Sequence, residues 1–133
     1  MNIKTTFKSL IAAALFSTVS NVVAANIADS TTLAPMASVE DAKVSFWDLP
    51  YLQESFIDLT PAIRKDALMV GELGIDGGTK DEIIKLAKEI ANDKHGLYDS
   101  MLISHQGKLI FESYYKRGRV NLHHGQASAT KAY

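Results

Sequence analysis

A serine and a lysine three residues apart, Ser128 and Lys131, are the residues of this 133-residue chain whose types and spacing could do chemistry. Positions i and i+3 share one face of a helix, so the Ser128 hydroxyl and the Lys131 amine would lie side by side. A lysine in a dry pocket can stay neutral and accept the proton of the serine, which makes that serine a nucleophile for acyl transfer. The spacing predicts a catalytic pair.

A second Ser-x-x-Lys pair, Ser113 and Lys116, shows that the spacing alone is not specific. With 11 serines and 11 lysines, roughly one such pair is expected by chance. Ser113 lies in a β-branched and aromatic run that predicts a strand, where an odd separation sends the two side chains to opposite faces. We therefore assign no catalytic role to Ser113, whereas Ser128 follows a polar loop and has small, helix-compatible neighbours.

The first 24 residues have the order of a secretory signal peptide. Lys4 and Lys8 precede a short apolar run, and small residues follow as far as Ala24 and Ala25, after either of which cleavage would fit. The apolar run is too short and too interrupted by polar residues for a membrane anchor. The sequence therefore predicts a periplasmic or secreted protein without a stable membrane anchor.

Composition excludes several classes of partner and cofactor. Without residues 1–24 the chain has 12 Lys and Arg against 15 Asp and Glu, a net charge of −3, which does not favour nucleic acid. The chain has no cysteine, so it can form neither disulfides nor thiolate metal sites. His123 and His124 have no carboxylate or third histidine at a metal-ligand spacing. We therefore expect no cofactor and no metal, and we expect Lys116, Arg117 and Arg119 to form a solvated turn.

Residues 25–79 are predicted to be a leader and an irregular aromatic-rich segment. Residues 26–41 have no helical or strand period and suggest a loose leader. Thr60 and Pro61 have the types found at an N-cap and the first position of a short helix. Residues 71–80 form a turn-rich connector, because their Gly-Thr-Lys order does not fit a phosphate loop. The aromatic residues suggest a strip packed over a core, with a ligand groove as the alternative: Phe46, Trp47, Tyr51 and Phe56.

The next part of the chain predicts a helix followed by a β-hairpin. Thr79 and Glu82 fit a capping box, apolar residues at helical spacing predict a helix over 80–94, and Gly96 would end it. Two apolar runs, 101–103 and 109–111, flank a turn over 104–108 with a glycine suited to positive φ. Because neither run alternates, we expect both strands to be covered on both faces. The predicted class is α+β.

The stretch from Tyr98 to Tyr115, a loop containing His124, and the run Ser128-Ala129-Thr130-Lys131 together resemble the start of the penicillin-recognising serine hydrolase superfamily. The chain is most similar to the branch of that superfamily related to class C β-lactamases, which includes esterases, amidases and peptidases. The resemblance covers about residues 80–133. It implies a β-lactamase/transpeptidase-like fold, of which this chain would hold the N-terminal helix, the hairpin and the beginning of the nucleophile helix.

The resemblance also implies roles for the matching residues. Ser128 would be the acylated nucleophile at a helix N-terminus, its own N–H would be one oxyanion donor, and Lys131 would help to deprotonate it. The substrate would be a small ester, amide or β-lactam. The tyrosine motif and the Lys/His-x-Gly motif of the family would lie beyond Tyr133, so we expect this N-terminal portion to be inactive and marginally stable alone.

Two functions stay open on the sequence. The first is an exported serine hydrolase that acts through Ser128 and Lys131. The second is a non-catalytic binding or structural module in which Ser128 only caps a helix, the commonest role for such a serine, and Lys131 is solvated. A Ser-His-Asp triad with His95 or His105 is possible in principle, but the Gly-x-Ser-x-Gly signature does not surround Ser128.

Overall fold

The computed structural model describes residues 26–27 and 33–123. Within these ranges one α-helix accompanies a sheet, a mixed α/β arrangement compatible with the predicted α+β class. Two short 3-10 helices, Asp41–Lys43 and Phe46–Asp48, precede the main elements. The main elements are β1 (Asn26–Ile27), β2 (Phe56–Asp58), β3 (Met69–Val70), α1 (Lys80–Ala91), β4 (Ser100–His105) and β5 (Lys108–Tyr114).

Strand β5 is the centre of the sheet. Strand β4 runs antiparallel along its whole length on one side. On the other side, β2 pairs antiparallel with residues 112–114 and β3 pairs parallel with residues 108–109. Strand β1 extends the sheet by pairing parallel with β2. Both predicted signal-cleavage positions precede β1, so removal of residues 1–24 or 1–25 would leave this strand in the chain.

The predicted hairpin is confirmed, with longer strands than the apolar runs suggested. Its turn consists of Gln106 and Gly107, whose φ angles are 49° and 78°. Two consecutive positive φ angles match the type I′ turn that suits the twist of a hairpin. One irregularity follows: the register shifts between Ile103 and Ser104, which leaves Ile110 as one extra residue on β5.

Helix α1 covers one face of the sheet. Its Ala87 joins the buried core cluster formed with Ile57, Leu73, Ile110 and Phe111. The predicted apolar stripe is therefore largely confirmed, although Leu86 is 39% exposed. Among the described residues, no helix combines the length and the apolar character needed to cross a bilayer.

The predicted start of the helix at residue 80 is confirmed, but its predicted cap and its predicted end need correction. The helix begins after Thr79, but the Thr79 side chain makes no capping hydrogen bond, so the predicted capping box is wrong. It ends at Ala91, several residues before Gly96. Asp93 takes the left-handed conformation, with φ at 61°. The N–H groups of Asp93 and Lys94 then donate to Ile90 O and Glu89 O, the paired bonds of a Schellman ending.

The two strands of the hairpin differ in burial. Residues 109–114 of β5 are all buried, as predicted for a strand covered on both faces. Strand β4 is half-exposed, and Leu102 is 50% exposed. The prediction of double coverage is therefore wrong for β4, which is also an edge strand within the described residues.

The loop between β2 and β3 contains no helix, so the helix predicted at Thr60 and Pro61 is wrong. The Asp58 carboxylate accepts from Thr60 N–H at 2.9 Å, which forms a local turn in place of a helix start. The chain then extends across the sheet to bring Arg64 to Glu112. The following connector is turn-rich as predicted, with positive φ at Gly74, Gly77 and Gly78.

Candidate functional site

The predicted catalytic residues, Ser128 and Lys131, lie outside the described residues, and so does His124. The structure therefore does not test the juxtaposition of Ser128 and Lys131. It does describe residues 115–123, the segment that leads to them. Two sets of polar groups matter most for the site, one around this segment and one on the sheet face opposite α1.

Arg119 fastens the segment after β5. Its side chain is buried, and its guanidinium donates to Lys116 O at 3.2 Å, Gly118 O at 3.4 Å and Pro50 O at 3.1 Å. One arginine therefore satisfies three carbonyl groups and joins the turn to the aromatic-rich segment. The prediction that Lys116, Arg117 and Arg119 form a solvated turn is wrong, because long-range partners hold all three.

Lys116 and Arg117 are held by aromatic and acidic partners. Lys116 Nζ lies 2.6 Å from the Asp93 carboxylate and 5.2 Å from the centre of the Tyr51 ring. The Arg117 guanidinium lies 4.7 Å from the Tyr51 ring and 6.0 Å from the Trp47 ring. Such cation–π contacts contribute about 0.5–1 kcal/mol at exposed sites. Trp47 and Tyr51 thus serve as partners of cations at the surface, whereas Phe56 is buried in β2.

The leader is bound to the same segment. Val120 N–H donates to Pro35 O at 2.9 Å. The Asn121 side chain accepts from Ala37 N–H at 2.7 Å and donates to Ala37 O at 3.2 Å. The prediction of a loose leader is therefore wrong for residues 33–41. These hydrogen bonds join residues that are more than 80 positions apart in the sequence. They hold the segment that leads to Ser128 against the leader.

Among the residues that the structure describes, Ser113 contacts no base, in line with its exclusion as a nucleophile. It is fully buried in β5, and its hydroxyl lies 3.0 Å from Met101 O and 2.8 Å from the Tyr115 hydroxyl. A carbonyl only accepts, so the Ser113 proton goes to Met101 and the Tyr115 hydroxyl donates to Ser113. Burial raises the pKa of Tyr115, which keeps this hydroxyl protonated. Lys116 turns away to Asp93.

His95 and His105 each have a hydrogen-bond partner. His95 Nε2 lies 2.9 Å from a Glu89 oxygen, and this bond is the main reason that the pKa of Glu89 is lowered. His105 Nδ1 lies 2.8 Å from Asp76 O, so Nδ1 must carry the proton. Asp76 also binds Lys108 Nζ at 2.6 Å, which lowers the pKa of Asp76. The contacts of Asp76 with His105 and Lys108 connect the glycine-rich connector to the hairpin. Because Ser128 lies outside the described residues, a Ser-His-Asp triad with His95 or His105 stays untested.

A buried polar cluster lies on the sheet face opposite α1. Glu112 is fully buried in the middle of β5 and forms an ion pair with Arg64. Its other oxygen accepts from the Tyr114 hydroxyl at 3.1 Å. Asp58 is the direct cross-strand neighbour of Glu112. Burial raises the pKa of Tyr114 well above its usual range, and the bond to Glu112 likewise raises the pKa of Arg64. The sequence analysis did not predict this cluster. The signal for it was Glu112, an acidic residue that directly follows the apolar run of β5.

Asp58 makes the stability of the protein depend on pH. Burial raises the pKa of Asp58, and the nearby Glu112 charge acts in the same direction, against the bond from Thr60 N–H. A carboxyl whose pKa is higher when folded destabilises the fold above that pKa. This penalty disappears as pH falls through the folded pKa to below the unfolded value.

We therefore expect Asp58→Asn to increase the free energy of unfolding at pH 7 by on the order of 0.5 kcal/mol. The asparagine keeps an oxygen for Thr60 N–H, and the gain should vanish as the pH falls below 3.8, the ordinary pKa of Asp58. Urea unfolding across this pH range measures the difference. The matched control is Asp66→Asn, since Asp66 makes the same kind of turn with Leu68 N–H but is exposed. A pH-independent loss in Asp58→Asn would contradict the prediction.

No three His, Asp or Glu side chains of the described residues come together as a metal site. Comparison of the chain with family models, with curated protein sequences and with solved structures gave no match.

Proposed function

We propose that this chain is the N-terminal portion of an exported serine hydrolase that forms an acyl-enzyme on Ser128. The observation that supports the proposal most directly is the order of elements before Ser128. A helix and an antiparallel hairpin precede a segment fastened by Arg119, and a Ser-x-Thr-Lys run follows. This order agrees with the resemblance to the hydrolases related to class C β-lactamases. The signal-peptide pattern of residues 1–24 supports export.

The chemistry of the proposal is acyl transfer to the serine hydroxyl. Neutral Lys131 takes the proton from Ser128 Oγ as the oxygen attacks the carbonyl carbon of a small ester, amide or β-lactam. The carbonyl oxygen becomes an oxyanion, which the Ser128 backbone N–H stabilises. The alcohol or amine leaves with the proton, and water later hydrolyses the acyl-serine. A second oxyanion donor and a tyrosine for proton transfer would come from chain beyond Tyr133.

Covalent labelling tests the proposal. We expect a fluorophosphonate probe to modify the product of the complete reading frame at Ser128 and to leave Ser128→Ala unmodified. Ser104→Ala is the matched control, because Ser104 is an exposed serine of β4 that lies outside the proposed site; it should label as the unaltered protein does. Intact-protein mass spectrometry reads out the adduct. Equal labelling of Ser128→Ala would leave Ser128 as a helix cap in a non-catalytic module.

A further inference from the structure

A small cleft lies between residues 41–49 and the segment that leads to Ser128. Its volume is about 140 Å³. The two 3-10 helices and the residues beside them form one wall, and Leu122 and His123 form the other. Asp41 and His123 are its polar groups. The apolar lining comes from Ala42, Val44, Phe46, Leu49 and Leu122.

We propose that this cleft binds the acyl chain of the substrate, a neutral alkyl group of about six carbons; this inference rests on the proposed function. An apolar cavity of roughly 150 Å³ accommodates a benzene molecule, so the volume suits a group of that size. It is smaller than the roughly 300–1,000 Å³ of sites that enclose a whole drug-sized ligand. The Asp41 carboxylate disfavours an anionic chain end.

The walls of the cleft are held together before any ligand arrives. The hydrogen bonds from Val120 to Pro35 and between Asn121 and Ala37 connect the leader to the opposite wall. Leu49 is buried at the base. On the first wall, Asp41 is tied to its own turn by a bond from Ser38 N–H at 2.9 Å. A preorganised site loses less entropy when a flexible chain binds.

The position of the cleft along the chain connects it to the proposed nucleophile. His123 is five residues before Ser128, and five residues span at most about 18 Å. The cleft therefore lies on the segment of chain that leads directly to the proposed nucleophile.

Binding is measured without turnover by fluorescence in the Ser128→Ala background. Trp47 is the only tryptophan, and its ring lies 5.6 Å, edge to face, from the Phe46 ring that lines the cleft. We expect hexanamide to change Trp47 emission with at least 10-fold higher affinity than acetamide, since each buried methylene group contributes about fourfold. Ala42→Leu, which fills the cleft, should weaken hexanamide binding about 10-fold. Val39→Leu, an equally conservative change at an exposed leader position, should not.

A second variant distinguishes a specific change in the cleft from general misfolding. Leu122→Ala enlarges the cleft and should shift the preference from hexanamide toward octanamide. Equal affinities for hexanamide and acetamide, or equal hexanamide binding by Ala42→Leu and the unaltered protein, would overturn the proposal.

Activity separates this inference from the proposed function. In the complete protein, we expect Ala42→Leu to lower the ratio of kcat/KM for p-nitrophenyl hexanoate to that for p-nitrophenyl acetate about 10-fold. If the fluorophosphonate labels Ser128 but this ratio does not move, the cleft proposal fails and the hydrolase stands. If hexanamide binds while Ser128 is never labelled, the hydrolase fails, and with it the assignment of the bound chain as a substrate.

Discussion

Replacing Arg64 by alanine is expected to lower the free energy of unfolding by about 3 kcal/mol or more. Glu112 is fully buried, and Arg64 is its ion-pair partner. Without the guanidinium, the Glu112 carboxylate keeps, among the described residues, the hydrogen bond from the Tyr114 hydroxyl alone. An unpaired buried charge loses hydration without compensation, which is why breaking one partner of a buried pair costs about 3–5 kcal/mol.

Two further variants make the Arg64 prediction specific. Lys43→Ala breaks the exposed pair between Lys43 and Glu40, whose atoms lie 3.9 Å apart, and should change stability by less than about 1 kcal/mol. Combining Arg64→Ala with Glu112→Gln removes the buried charge and should recover part of the loss. Chemical denaturation of the four proteins, including the unaltered chain, measures these differences. If Arg64→Ala behaves like Lys43→Ala, the Arg64–Glu112 pair does not stabilise the fold.

Replacing Lys131 by methionine is expected to slow acylation of Ser128 in the complete protein by roughly 10²–10⁴-fold, the usual contribution of a general base. Methionine has a similar length but cannot accept a proton. Stopped-flow measurement with a p-nitrophenyl ester gives the acylation rate. Lys85→Met on the exposed side of α1 is the matched control and should be unchanged.

Lys131→Arg then separates proton transfer from charge. Arginine keeps the positive charge but cannot be deprotonated in a protein. If Lys131 acts as the base, the arginine variant should be as slow as the methionine variant. Full activity in Lys131→Arg would assign Lys131 an electrostatic role, and full activity in Lys131→Met would make it the solvated lysine of the non-catalytic alternative.

Local patterns determined the elements that the sequence predicted correctly. The apolar spacing at Ile83, Ala87 and Ile90 was sufficient to predict α1, because helical periodicity places such residues on one face. Gly107 marked the hairpin turn, because a type I′ turn requires positive φ. These signals come from residues near each other in sequence. The position of the helix end was predicted less well, since the helix ends at Ala91 with a left-handed residue at Asp93, before the Gly96 that was expected to end it.

Tertiary structure decided which polar residues have structural roles. The pairing of Arg64 with Glu112 joins residues 48 positions apart, and the bond from Arg119 to Pro50 joins residues 69 apart. Neither pairing leaves a periodic signal in the sequence. The same is true of the extra residue at Ile110, through which two consecutive side chains, Ile110 and Phe111, enter one core cluster.

The sequence by itself therefore determined the helix and the hairpin, because periodicity and turn chemistry act over a few positions. The candidate nucleophile Ser128 stays a prediction. Only the tertiary structure decided that the leader binds the segment before Ser128, that Arg119 is buried, and that a carboxylate lies inside the sheet. The physical reason is that buried polar groups must find hydrogen-bond partners wherever the fold brings them. These partners are close in space but far apart in the sequence, so no local sequence pattern predicts them.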